Sequence, residues 1–315
     1  MTASQVDPAV RTRPAVEVPR GPRRGPALWT AGRVFRAIIL WGFAIYCLIP
    51  LLWLLLAPTK TDAELVNGNP LAFGSLDRVA VAWKHLAEYG DGVLFRWTAN
   101  TAGYVAATLA ITIVTSLPAG YALATTRVRG RKAVLILTLV AMIVPPSALV
   151  LPLFLEVNAV HLTNTALSVI LPASFYPFGV YLAFIYFSTS LPHELMEAAR
   201  IDGCSEVQVF RLLALPLAKP LIGLLAFFSF VGNWSNYFLP YVMLSDTSAY
   251  NLPVGLGALI SSTPALTPAS GGSDLPITRP EVALAGLIVV LPIAIVFVFC
   301  QRFLVRGILA GSVKN

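Results

Sequence analysis

VALAGLIVVLPIAIVFVFC, residues 282–300, runs without one charged side chain. At about 1.5 Å of rise per residue, a helix of that length crosses a hydrocarbon core about 30 Å thick and satisfies its own backbone hydrogen bonds, as lipid requires. The same reading carried outward extends this run to Val282–Phe303 and finds five more almost without Asp, Glu, Lys or Arg: Ile38 to Leu56, Asn100 to Ala124, Val134 to Leu155, Thr165 to Phe187 and Leu221 to Leu244. They are continuous rather than short and alternating, so helices are expected and a transmembrane β-barrel is not. Of the 315 residues 57% are hydrophobic and 12% charged, more apolar surface than one soluble core hides. The expected fold class is an all-α membrane protein with six transmembrane helices.

Charge sets the expected orientation. With the N-terminus cytoplasmic, the inner segments hold seven arginines between Arg11 and Arg36, then Arg127, Arg129, Arg131 and Lys132, then Arg200, Arg211 and Lys219, and last Arg302, Arg306 and Lys314. The outer segments hold only Lys60, Arg78, Lys84, Arg96 and Arg279. The positive-inside rule then places both termini in the cytoplasm, with Arg127 to Lys132 as the sharpest anchor. The net charge of +7 is accounted for by topology, and no nucleic-acid partner is implied.

Residues 1–32 are rich in Pro and Arg without apolar periodicity and are expected to be a disordered basic cytoplasmic tail, ahead of a permease domain over 33–315. A cleaved signal peptide fits poorly, because the run from Ile38 is span length and no A-x-A-like site follows it. Cys47, Cys204 and Cys300 are far apart and are read as packing residues. The first outer segment is expected to hold a short helix around Leu76 to Tyr89, with Trp83, Tyr89 and Trp97 in an interfacial aromatic belt. Pro118, Pro145, Pro146, Pro152, Pro172 and Pro177 fall in spans two to four, where prolines kink or open helices. The Pro145–Pro146 pair suits a plain kink and a transport pathway equally.

Residues 188–220 differ from their surroundings. A short amphipathic helix can start at Pro192 and stop at Gly203, placing Leu195, Ala198 and Ile201 on one face and Glu194, Glu197 and Arg200 on another. Ser205 and Gln208 have capping-box spacing, so a second helix restarts at once and carries Val209, Phe210 and Leu213 before Pro216 and Pro220 redirect the chain. The expected product is a helix, a tight glycine turn and a second helix beneath the membrane.

Glu197-Ala198-Ala199-Arg200-Ile201-Asp202-Gly203, followed by Phe210, Leu215-Pro216 and Pro220, resembles the EAA loop of bacterial ABC importer permeases. Ala119 to Ala124, Met142 to Pro146, Asn233 to Pro240 and Gln301 to Gly307 resemble the carbohydrate-importer branch, above all the second permease of maltose-type systems. Cys204 departs from the alanine common there, and the long tail has no counterpart in the resemblance. The resemblance implies a type I ABC importer permease in a bacterial cytoplasmic membrane. Its partners would be a second permease subunit, an ATPase dimer holding ATP and Mg, and an extracytoplasmic solute-binding protein, with no cofactor on this chain. It also implies that Glu197 makes polar contact with the ATPase, Ala198 and Ala199 permit close approach, Gly203 makes the turn, Asp202 fixes its geometry, and Phe210 and Pro216 complete the motif. A connector lying on lipid headgroups is the plain alternative, but anionic lipid would repel Glu194 and Glu197.

Ser229, Asn233, Asn236, Tyr237 and Pro240 recur as one stripe if span five is a continuous helix. Amides at mid-membrane face the bundle interior, where they bond helices together or line a polar path; the resemblance favours the path. Amides beside rings suit a sugar, whose hydroxyls need donors and acceptors and whose C–H faces stack. Tyr176 and Tyr181, with Phe175 and Phe178, are span-four rings that fit this role or plain packing. The sequence has no G-x-x-x-x-G-K-[S/T], so no phosphate loop, and His85, His161 and His193 lack metal-site spacing, so neither catalytic nor metal-binding residues are expected. The rival reading is an ion-gradient-driven secondary transporter, which would carry ionisable groups inside its spans and an inverted repeat.

Overall fold

The computed structural model describes residues 26–126, 129–266 and 276–310, and among them every regular element is helical. The expected tail therefore falls largely outside the described residues, as do Arg127 and Val128. Contacts divide the chain into two units, Met1–Leu51 and Leu52–Asn315. The first holds most of α1 (Pro26–Leu56), whose described side chains are almost all exposed, as suits a helix solvated by lipid.

In the second unit, α2 (Asp62–Asn67) and α3 (Leu76–Glu88) follow α1. Helix α4 (Val93–Thr125) runs the length of the unit with Pro118 inside it. Next come α5 (Arg131–Ile143), α6 (Pro146–Ala159), α7 (Ala166–Ser174), α8 (Pro177–Ser190), α9 (His193–Ile201), α10 (Glu206–Val209) and α11 (Leu215–Leu217). The last four are α12 (Lys219–Trp234), α13 (Phe238–Met243), α14 (Leu252–Ser262) and α15 (Arg279–Ala310).

Among the described residues four segments are long and apolar enough to cross a membrane: Gly32–Thr59, Val93–Thr125, Ala166–Ser190 and Arg279–Gln301. Two more qualify only as bent pairs, α5 with α6 at 104° and Glu206–Leu217 with α12 at 75°. The first bend has a local cause. Pro145 and Pro146 remove two consecutive donors, Val144 is pushed to an extended conformation (φ −67°, ψ 123°) and Pro146 is the first residue of α6. The expected third helix is thus two helices. Pro177 likewise starts α8 after a break at Phe175–Tyr176, whereas Pro118, Pro152 and Pro172 are absorbed inside helices. Span five is also broken: α12 ends at Trp234, and Ser235 to Tyr237 leave the helix before α13 begins.

Helix α4 is the spine, packing along α8 and α12, with α15 against α12 and α3. Gly120 lets α4 meet α8 closely, since a Cβ there would lie 2.4 Å from Ala183 Cβ and 2.7 Å from the Phe184 amide nitrogen. Trp97, expected in an interfacial belt, is instead 2% exposed and donates from Nε1 to the Thr247 carbonyl at 2.7 Å. Its indole fills the space a side chain on Gly255 would need.

Candidate functional site

Two places bring the predicted site residues together. The first is the turn between α9 and α10. Helix α9 ends because Gly203 takes φ +87°, a left-handed conformation that costs a β-carbon-bearing residue energy. The last carbonyls of α9 are then met by the amides of Asp202 (to Ala198, 2.9 Å), Gly203 (to Arg200, 3.1 Å) and Cys204 (to Ala199, 3.0 Å). The next helix starts on the expected capping box: Ser205 Oγ accepts from the Gln208 amide at 3.4 Å, and Gln208 Oε1 accepts from the Ser205 amide at 2.8 Å. A π-turn at Phe210–Ala214 and then α11 lead into the bend with α12.

The turn is braced and anchored. Arg200 spans it with a two-pronged pair to Glu206, Nε to Oε1 at 2.7 Å and Nη2 to Oε2 at 3.3 Å, and Tyr121 of α4 donates to Glu206 Oε2 at 3.4 Å. The Arg200 guanidinium holds the Glu206 carboxyl below the usual carboxylate range. Underneath, Met196, Ala199, Val209 and Ala214 are buried in one cluster with Leu117 and Tyr121 of α4, Phe187 of α8 and Leu221 of α12. Phe210 is half-buried against Tyr121, ring centroids 5.0 Å apart.

Leu195, Ala198 and Ile201 share a face as expected, and it is exposed, Ile201 at 86%, as are Val207 and Leu212. The residues turned inward are Met196 and Ala199, so Ala199 approaches this chain's own core. Glu197, Ala198, Asp202, Gly203 and Pro216 are exposed, and the Asp202 carboxylate has no hydrogen bond among the described residues; Arg200 and Glu206 hold the turn. A β-carbon on Gly203 would meet nothing within 4 Å, so its requirement is the positive φ and not lack of room. The outer side of the turn is thus an apolar surface edged by the Glu194 and Glu197 carboxylates, on a turn held by the Arg200–Glu206 pair.

The second place is a cavity of about 980 Å³ among α5, α6, α7, α8, α12 and α13. All three helix breaks reach it, through Val144 and Pro146, through Phe175 to Pro177, and through Asn236 and Phe238. Ser229, Asn233, Asn236 and Tyr176 line it; Tyr181 and Tyr237 do not. Tyr181 pairs with Phe184 and Tyr237 stacks on Tyr241 at 5.3 Å. The predicted stripe is not one helix, because α12 stops before Asn236. Asn233 donates to the Ser229 carbonyl at 2.8 Å, within its own helix.

The remaining walls are aliphatic and aromatic, with Leu149, Val150, Leu153 and Leu239 beside a group of rings in which Phe178 is edge-on to both Tyr176 and Phe228. Sequence reasoning missed Phe228, Phe238 and Ser147; as an aromatic or hydroxyl in an apolar run, each reads as packing until the breaks are seen. The lining holds no Asp, Glu, Lys, Arg or His. Among the described residues no cluster of His, Cys, Asp and Glu is fit to hold a metal ion. The cavity is mainly apolar, with the hydroxyl and amide groups of Ser147, Tyr176, Asn233 and Asn236 beside rings, groups able to hydrogen-bond and stack on an uncharged polyhydroxylated molecule.

Comparison with known proteins follows the same lines. Residues 116–310 match the model of the family described as binding-protein-dependent transport system inner membrane component. The arabinooligosaccharides transport system permease protein AraQ of Halalkalibacterium halodurans is 34% identical, over 87% of this chain and 95% of that protein. The lactose transport system permease protein LacG of Rhizobium radiobacter is 28% identical, over 86% and 92%. A solved bacterial ABC transporter involved in the import of the acidic polysaccharide alginate has a chain of the same fold, with TM-score 0.75 and 21% identity over 89% of this chain and 99% of that one.

Proposed function

This chain belongs to the family of binding-protein-dependent transport system inner membrane components, and we propose that it is the permease subunit of an ATP-driven importer whose cargo is a neutral di- or oligosaccharide. The observation that carries the reading is the α9–α10 turn, a rigid knob with Glu197, Ala198 and Ile201 uncovered on its outer side. It is the docking site for a separate ATPase, which holds the ATP and Mg.

The same knob is joined through its buried cluster to Tyr121, Phe187 and Leu221, hence to α4, α8 and α12. Helices α8 and α12 also wall the cavity. A push on the knob as the ATPase closes therefore turns the cavity walls with it, which is the lever that alternating access requires. Glu197 contributes polar contact to the ATPase, and Ala198 leaves room for it. Ser229, Asn233, Asn236 and Tyr176 face the sugar as it crosses.

A second permease subunit completes the pathway, and an extracytoplasmic binding protein delivers the solute to the outer face. Both termini then lie in the cytoplasm of a bacterial cell, the basic loops inside. Arabinooligosaccharides and lactose, the solutes named for two relatives, mark the cargo class. An ion-gradient mechanism has no support in the cavity, whose lining lacks acidic, basic and imidazole groups. The test is co-expression with the candidate ATPase, second permease and binding protein. The expected result is a co-purifying complex whose ATP hydrolysis rises when liganded binding protein is added; a chain that purifies without an ATPase overturns the reading.

A further inference from the structure

Where α12 gives way to α13, the carbonyl of Asn236 has no amide to accept four residues on, because Pro240 stands there, and inside an apolar bundle it needs another donor. Asn251 supplies it from a distant part of the chain, Nδ2 to the Asn236 oxygen at 2.7 Å. Asn251 is 2% exposed, and its Oδ1 accepts the Val254 amide at 3.3 Å as the N-cap of α14. One buried amide therefore serves two elements.

The segment bearing Asn251 is itself stitched to α4. Asn100 Nδ2 donates to the carbonyls of Ser248 (2.8 Å) and Tyr250 (2.9 Å), Tyr104 donates to Ala249 (2.8 Å), and Thr101 Oγ1 accepts the Leu252 amide (2.7 Å). Asn233 and Asn236 stand on the wall between the large cavity and a void of about 10 Å³ reached by Thr101, Tyr104, Thr108 and Asn251. That void has room for one water among polar partners.

We propose that Asn251 is a positioning residue for the transport cavity: its side-chain N–H fixes the backbone at the α12–α13 break and so sets where Asn233 and Asn236 face the solute. The assignment rests on the cavity being the sugar path. Pro240 bars a helical bond to the Asn236 carbonyl, so without a donor from elsewhere this stretch would shift to find one and carry both amides relative to α6 and α8. The tie to Asn251, backed by α4, opposes that shift.

The test uses the full chain in its complex in nanodiscs, with Cys47, Cys204 and Cys300 replaced by serine and Asn236→Cys as reporter. Labelling by a hydrophilic maleimide is timed with and without Asn251→Asp. Aspartate keeps the α14 cap and, in its ionised form, donates nothing to the carbonyl of residue 236. The labelling rates are expected to differ by about fivefold or more, the effect of losing one ordinary hydrogen bond. A residue that only capped α14 would show no difference. Asn251→Ser, which also caps but is too short to reach, is expected to behave as Asn251→Asp and serves if the aspartate variant does not assemble. Rates equal within about twofold for both variants overturn the proposal and leave the importer reading standing. Failure of the unmutated complex to take up sugar removes the importer reading, while the labelling still reports on Asn251.

Discussion

At the residue scale the knob turns on Gly203. With φ at +87° and open space around a β-carbon, its replacement costs backbone energy alone, about 1–2 kcal/mol for most side chains. Asn tolerates that region better than a β-branched residue. Uptake by Gly203→Asn is therefore expected to exceed uptake by Gly203→Val, with both inserted at normal levels; equal loss would mean that the partner's space and not the turn is limiting. Glu206 gives a second test. Its carboxyl pKa is depressed by Arg200, so the brace is fully present above the ordinary carboxylate value and is lost as pH falls through the depressed one. Hydrogen-exchange protection of α9 and α10 is expected to hold from pH 7 to about 5 and fade below the ordinary Glu value of about 4.3. In Glu206→Gln it should be lower and flat across that range. Both partners are about a third to a half exposed, so the effect is at most about 1 kcal/mol. Gly203 and the Ser205–Gln208 box were legible because turns and caps depend on a few neighbouring residues. The Arg200–Glu206 brace was not, because nothing in the spacing says which of several charges meet across a turn.

At the element scale, four apolar runs fall on helices long enough to cross a membrane and the other two on parts of the two bent pairs, and the short helix at α3 lies where its pattern puts it. The interruptions are less visible. A run of apolar residues looks the same whether one helix or two broken ones satisfy its backbone, and only packing around the cavity lets the chain break at Val144, Phe175 and Ser235 without stranding carbonyls in lipid. The same holds for the faces of α9. In a chain that meets lipid, water and a partner, periodicity finds a stripe such as Leu195–Ala198–Ile201 but not what covers it. The α4–α8 contact supplies the prediction here. Gly120→Ala places a methyl against Ala183 and the Phe184 backbone, neither of which can move aside, at a cost of about 1–3 kcal/mol. The thermal midpoint of the purified chain is expected to drop by several degrees, by about 2–4 °C per kcal/mol. An unchanged midpoint would show that these helices pack more loosely than the structure has them.

At the scale of the whole molecule, the knob is tied to α4, α8 and α12, and α8 and α12 also wall the neutral cavity, so the proposed importer uses these shared helices to pass work from the ATPase side to the solute path. The most direct measurement is uptake of labelled oligosaccharides into proteoliposomes containing this chain, its second permease and the ATPase, with binding protein outside and ATP inside. Accumulation that needs ATP and the binding protein, and that stops on Gly203→Val, is the predicted result. Uptake by this chain alone, driven by a proton or sodium gradient and indifferent to ATP, would contradict it.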